Sequence, residues 1–460
     1  VKGLIEFGSD GWFGVISNEI TFENISITAQ AAADYLTDTC SNPAVVLGYD
    51  TRFLSREYAW TIMRVLTGNG INVYLHKKPV PTAFLSLSTA LYKADLGIMV
   101  TGEGRPARYT GLAFRLAGGV PAGETFMSDL FNYLYRRYPR HADENRELLK
   151  YIDVFSDYLA LAAGLFSPDG QGQKAPVVIY DACFGSVGGY FKDILEHLGL
   201  DSTAIRSKPN PGFTDCAPQP NKRNLQLAGK LVKQKKSDIG LFFNGDGSRL
   251  GVVDSNGEIV PDHWVSAIVL KEWLDIKGCD LRVYTDLLTP SISVPLLSSM
   301  GKSPLPLYRL YEQKEDPGLA VVWDRHSVYC GGFIPDRDAM AEALLLIRAL
   351  VRHGLDWQAL LADIIKVTGM RSYSTRSLNM DKSTWARKMK LITGQGFLPE
   401  ELGSIINTEE NGDLKLWLDD GSWLGFCFNP KEEHLLIYYD APGLGQADEK
   451  LDLIVSLMLY

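Results

Sequence analysis

The sequence predicts an α/β fold made of three α/β domains with mixed sheets and a smaller C-terminal α+β domain. Two observations carry this reading. Three stretches alternate short apolar runs, bounded by Gly, Asp and Pro, with helical patterns of roughly 10–15 residues, which is the signature of βαβ units. After about residue 370 the pattern changes to period-two alternation with a tight-turn signal, as in half-buried antiparallel strands. The length of 460 residues suits three or four ordinary domains. The expected boundaries give domains over 1–140, 141–257, 258–370 and 371–460.

In the first stretch, Ala44 to Asp50 reads as a buried strand, Ser55 to Asn69 as a helix and Ile71 to Leu75 as the next strand. In the second, Pro176 to Asp181 and Ile239 to Phe243 are strands, and Gly188 to Leu198 is a helix. The third has a helix from His263 to Leu274, a weaker strand from Ala320 to Trp323 and a helix from Arg337 to His353. Such alternation implies mostly parallel sheets covered on both faces. In the last domain Leu414, Leu416 and Leu418 alternate along a strand, and Asp420-Gly421 is the turn. Trp423 to Phe428 and His434 to Tyr439 are further strands, and Ala447 to Tyr460 is a closing amphipathic helix. Linkers are expected at Gly118 to Gly123, Ser167 to Pro176 and Lys366 to Leu378. The three α/β stretches suggest a diverged repeat, which residue identity alone does not show.

The formal net charge of −9 argues against a nucleic-acid surface, which needs clustered Lys and Arg. Lys230, Lys233, Lys235 and Lys236 read as a solvated helix face. The six cysteines, at 40, 183, 216, 279, 330 and 427, include no C-x-x-C pair, so no zinc site is expected and the thiols read as reduced. No apolar run approaches the ~20 residues of a membrane span. No signal peptide is visible. The expected compartment is the cytoplasm, or an organelle stroma if an N-terminal segment was removed before Val1. Neither a nucleic acid nor a membrane is expected as a partner.

Phe7-Gly8-Ser9-Asp10-Gly11-Trp12-Phe13-Gly14 is similar to FGTDGWRG, the opening of the α-D-phosphohexomutases, the phosphoglucomutase/phosphomannomutase family. Gly48-Tyr49-Asp50-Thr51-Arg52-Phe53-Leu54-Ser55 is nearly its GYDTRxxS, and Val80-Pro81-Thr82 resembles its PTP segment. Asn210-Pro211-Gly212-Phe213, Pro218 to Asn221, Arg249 to Asp254 and Ile334-Pro335-Asp336-Arg337-Asp338 continue the resemblance in family order. It implies the four-domain phosphohexomutase architecture, with one functional loop per domain around a single cleft.

The loops themselves depart from the family. Where it has TASHNP, with a phosphorylated serine, this chain has Thr101-Gly102-Glu103-Gly104-Arg105-Pro106, so the nucleophile position is Glu103. The metal loop DGDGDR is Asn244-Gly245-Asp246-Gly247-Ser248-Arg249, which loses two of three carboxylates. Mg²⁺ is a hard cation that favours charged oxygens, so Asn244, Asp246 and Ser248 are expected to hold it weakly at most. The sugar loop GEESGG becomes Val322-Trp323-Asp324-Arg325-His326-Ser327. The phosphate loop RPSGTEP becomes Cys427-Phe428-Asn429-Pro430-Lys431-Glu432-Glu433, where a proline removes a backbone donor from the anion nest. The arginine of the opening motif has become Phe13. Ligand contacts are expected from Arg105, Arg249, Asp324, Arg325, Asn429 and Lys431.

Loss of a nucleophile alone can cost on the order of 10⁶ in kcat. With four loops and Phe13 changed together, the expectation is a protein that has lost mutase activity and serves as a scaffold, partner subunit or ligand sensor. No cofactor is expected. The alternative is a divergent mutase on hexose phosphates that uses Glu103 in place of phosphoserine, either as an acyl phosphate or as a fixed anion. Such an anion carries about −1, against −1.5 to −2 for phosphoserine. A protein partner or a sugar phosphate are the ligands to expect.

Overall fold

The computed structural model describes residues 5–8, 11–142, 147–166, 174–214, 217–277, 280–312, 316–393, 398–429, 433–443 and 445–459. Four sheets follow one another along the chain. The first contains β1 (Gly11–Val15), β2 (Ala44–Tyr49), β3 (Asn72–His76), β4 (Leu96–Val100), β5 (Tyr109–Leu116) and β6 (Leu149–Ile152), in the order β1-β5-β4-β2-β3-β6. The second contains β7 (Val178–Asp181), β8 (Ser202–Ile205), β9 (Ile239–Phe243), β10 (Leu250–Val253) and β11 (Ile259–Val260), in the order β11-β10-β9-β7-β8. The third contains β12 (Arg282–Thr285), β13 (Leu305–Pro306), β14 (Ala320–Trp323) and β15 (Val328–Cys330), in the order β13-β12-β14-β15. The fourth contains β16 (Arg371–Asn379), β17 (Ile405–Asn411), β18 (Asp413–Leu418), β19 (Trp423–Asn429) and β20 (His434–Pro442), in the order β16-β20-β19-β18-β17.

The central strands are apolar because helices cover both faces. Every residue of β4, β7 and β9 is buried. The repeat suspected from the sequence is visible as topology. In each of the first three sheets a parallel strand pair ends in an antiparallel hairpin: β4–β5, β9–β10 and β14–β15. The Glu103, Asp246 and Asp324 loops are the turns of those three hairpins. Three equivalent turns at the C-terminal ends of parallel strands are thus presented alike.

One continuous apolar core runs through the first three domains, joining Phe84, Tyr158, Phe191, Trp273 and Leu345. The C-terminal domain has its own core around Leu416, Ile437 and Leu451. Polar ties reinforce the first junctions. Ser86 Oγ and Arg115 Nε both donate to Asp336 Oδ2, and Tyr158 donates to Asp338. The fourth domain docks on the segment after β12. Leu288 packs with Trp423 and Tyr438, Tyr373 donates to the Leu288 carbonyl, and Lys415 Nζ donates to the Leu287 carbonyl at 2.9 Å.

Some expectations change. The first sheet recruits β6, past residue 140, and the second takes β11, just past residue 257. Gly118 to Gly123 is an internal connection from β5 to the helix Glu124–Tyr133, with Gly118 and Gly119 at positive φ. Lys366 to Leu378 is no linker. The helix Trp357–Thr368 runs to Thr368 and β16 begins at Arg371. Nine consecutive residues, Arg371 to Asn379, pair with β20. Within Ser167 to Pro176, residues 167–173 lie outside the described residues. No helix among the described residues is long and apolar enough to cross a membrane.

Candidate active site

Asp50 and Arg52 build the base of the Glu103 loop. The Asp50 carboxylate accepts from the Ser55 and Thr101 hydroxyls at 2.8 and 2.9 Å and from Arg52 Nε at 3.1 Å. The Arg52 guanidinium then donates to four carbonyls of the loop: Glu103 and Arg105 at 2.7 Å, Pro106 at 2.9 Å and Tyr109 at 2.8 Å. A buried Arg is retained because every donor it carries meets an acceptor. Gly102 is required here, since a Cβ at that position would lie 2.6 Å from Arg52 Cζ.

This clamp sets Glu103 at φ +52, with its N–H on Thr101 Oγ1 at 2.9 Å. Its carboxylate accepts from Arg105 Nη1 at 2.9 Å, and the side chain is 22 % exposed. Burial pushes the Glu103 carboxyl up, but Arg105, Arg249 and Arg337 outweigh it and hold the group below the usual carboxylate range. Arg105 in turn lies over the Phe13 ring, 3.9 Å from its centroid.

The Asp246 loop lies against it. A Cβ on Gly245 would be 3.2 Å from the Glu103 carbonyl oxygen. The polar atoms of the Asp246 loop are turned on one another. Asn244 Nδ2 donates to Ser248 Oγ at 3.0 Å, and Ser248 Oγ donates to Asp246 Oδ1 at 2.7 Å. Thr82 donates to Asp246 Oδ2 at 2.8 Å, and the Arg249 N–H donates to Asn244 Oδ1 at 3.0 Å. Burial, then the charge of Glu103, pushes the Asp246 carboxyl up.

The Asp324 loop closes on itself as well. Asp324 Oδ1 accepts from the N–H groups of His326 and Ser327, and Oδ2 accepts from Arg337 Nε at 2.9 Å and Nη2 at 2.6 Å. Burial pushes the Arg337 guanidinium down, but Asp324 outweighs it and the pKa is raised well above its usual value. His326 is held neutral by burial and by the fields of Arg249, Arg337 and Arg325.

Glu103, Arg105, Asp246, Arg249, Asp324, His326 and Arg337 therefore form one group whose charges act on one another. Arg325 does not aim into that group. Its Nε donates to Asp286 at 2.6 Å and its Nη2 pairs with Asp413 of β18, so it joins the third and fourth domains. Asn429 ends β19 and pairs with His434 of β20. Lys431 lies outside the described residues. Sequence reasoning missed Arg337 and His326. Arg337 stands in the segment Ile334-Pro335-Asp336-Arg337-Asp338, whose resemblance to the family assigns it no ligand.

The family model "Phosphoglucomutase/phosphomannomutase, alpha/beta/alpha domain I" matches residues 4–137, and that of domain II matches residues 156–257. A "Probable phosphoglucosamine mutase" of Methanosphaera stadtmanae is 27 % identical over 268 residues, 58 % of each chain, so the match spans little more than half of that relative. A "Phosphoglucomutase/phosphomannomutase" of Thermococcus kodakarensis is 23 % identical over 98 % of both chains. The solved structure of a phosphoglucomutase/phosphomannomutase family protein from Burkholderia thailandensis superposes with a TM-score of 0.79 at 17 % identity, covering 98 % of this chain and 96 % of that one. With two family models in their expected order and a likeness that runs the full length, this chain belongs to the α-D-phosphohexomutase family.

Proposed function

We propose that this protein binds a phosphate monoester, a hexose phosphate first of all, in the cleft between the Glu103, Asp246 and Asp324 loops, and does not transfer its phosphoryl group. The observation that carries this reading is the state of Glu103. At the nucleophile position stands a carboxylate paired to Arg105 and further stabilised as an anion by Arg249 and Arg337. An oxygen neutralised in this way is a weak nucleophile. It serves instead as a fixed negative charge where the family carries phosphoserine.

The donor set of the Asp246 loop supports the same reading. Mg²⁺ takes near-octahedral oxygen ligands, commonly with one or two carboxylates and substrate phosphates. Asn244 and Ser248 bring neutral oxygens, and both oxygens of Asp246 already accept protein hydrogen bonds. A cation would have to break that closed set, so these residues do not fit the metal.

The Arg249 guanidinium is the group to receive a ligand phosphate, as a forked donor matched to phosphate oxygens, and Arg337, whose Nε and Nη2 hold Asp324, adds its positive charge. Calorimetric titration with glucose 1-phosphate and mannose 1-phosphate tests this. Binding is expected, and Arg249→Ala is expected to weaken it about ten-fold, the scale of one charge-assisted hydrogen bond. Absence of binding at millimolar ligand, or equal binding by Arg249→Ala, contradicts the reading.

A further inference from the structure

A second cleft of about 1350 Å³ lies between the first, third and fourth domains, and Glu103, Arg249 and Arg337 take no part in its walls. Its apolar floor includes Leu287, Leu307 and Tyr308, and four prolines, Pro121, Pro304, Pro306 and Pro317, stiffen the sides. The start of the helix Glu124–Tyr133 forms one rim and β17 the other.

β17 is the edge of the fourth sheet. It pairs with β18 on one side, and among the described residues no strand pairs with its other side. Six of its seven residues are exposed. The register is irregular between Ile405 and Asn407 and the strand carries two glutamates, so from Asn407 to Asn411 the edge is a template for a further strand of opposite charge. Its register places Glu409 opposite Lys415, so Glu409 and Asn411 share a sheet face with Asp413 and Lys415 along the cleft.

The charge of this cleft is acidic. Arg325 is shared between Asp286 and Asp413, and Lys415 is buried under the Leu287 carbonyl between Trp417 and Trp423. Glu124 and Glu410 remain on the rims without a cation among the ion pairs of the described residues, and Glu409, opposite Lys415, accepts a hydrogen bond from Trp417 Nε1 at 2.5 Å. Such a cleft repels a phosphate and attracts a cation.

We propose that this cleft takes an extended, basic peptide segment of a partner protein. The segment adds to the free edge of β17, with Lys or Arg at alternate positions directed between Glu409 and Glu124. Main-chain hydrogen bonds supply the affinity, and alternate side chains supply the choice of partner.

The test is fluorescence anisotropy of the full chain with a labelled heptapeptide of alternating lysine and threonine. Saturable binding is expected. Three changes are each expected to weaken it at least ten-fold: glutamate in place of the peptide's lysines, N-methylation of alternate peptide amides, and the double variant Glu124→Gln/Glu409→Gln. Circular dichroism and unchanged titration of glucose 1-phosphate would show that this variant is folded. No saturable binding, or binding indifferent to N-methylation or to the two glutamates, overturns the proposal. Self-association in sedimentation that Glu409→Gln abolishes overturns it in favour of a second copy of this chain.

Discussion

The Arg105 guanidinium is stacked on the Phe13 ring, 3.9 Å from its centroid, and from there donates to Glu103 Oε2 at 2.9 Å. Two departures from the family pattern thus meet in space. The opening motif lost its arginine to Phe13, and the nucleophile loop gained Arg105. The cation has moved to another residue and is paired with the glutamate that stands at the serine position.

If Glu103 acts as a fixed anion, removing its charge leaves Arg105, Arg249 and Arg337 uncompensated. Glu103→Gln is therefore expected to tighten glucose 1-phosphate binding about ten-fold, worth about 1.4 kcal/mol, with a steeper loss of affinity in salt. Titration at two ionic strengths measures both. Weaker binding by the variant would give Glu103 a direct role in holding the sugar.

The loop's rigidity rests on Arg52. Gly102→Ala forces a Cβ to within 2.6 Å of the buried Arg52 Cζ, and that arginine carries four loop carbonyls. Overpacking of this kind costs about 1–3 kcal/mol. The denaturation midpoint should fall accordingly, with hydrogen exchange of residues 103–109 rising most.

The junction of the third and fourth domains depends on Arg325. Arg325→Ala leaves Asp286 and Asp413 without their shared cation, a loss of about 3–5 kcal/mol for a pair this shielded from water. Exchange protection should drop in β18 and in the segment 286–292, while β2, β4 and β9 keep theirs. Uniform loss across all four sheets would contradict a local role.

Burial pushes the Asp338 carboxyl up from 3.8 to about 6, with Tyr158 as its hydrogen-bond partner. A carboxyl whose folded pKa is raised contributes stability that is fully present below its unfolded value and lost as pH rises through about 6. The shift corresponds to about 3 kcal/mol. Wild type minus Asp338→Asn, compared in urea at pH 4 and pH 7, should therefore move against the wild type at the higher pH. A difference that stays constant would mean that Asp338 titrates normally.

Much of the fold was legible because its strands are short apolar runs between turn residues, as in Ala44–Tyr49 and Ile239–Phe243. β16 and β17 were not. Arg371–Asn379 and Ile405–Asn411 are polar strands, and their pairing depends on partners distant in the chain. The site was legible as positions and not as partners. Glu103, Asp246 and Arg249 stood in recognisable motifs, but nothing local in Arg325 told that it pairs with Asp286 and Asp413. Lys415 sat in an alternating strand as an apparent solvent-facing residue. In the fold it is buried, its pKa pulled down to about 8 by loss of water, and it caps a main-chain carbonyl of another domain.

The central claim is that Glu103 stands in for a charge and takes no phosphoryl group. Purified protein is incubated with glucose 1-phosphate, Mg²⁺ and glucose 1,6-bisphosphate, and separately with the mannose compounds, and glucose 6-phosphate or mannose 6-phosphate is measured beside Glu103→Ala prepared identically. The account predicts no turnover above background and no difference between the two proteins. Turnover by the wild type that disappears in Glu103→Ala would contradict it and make Glu103 the acceptor.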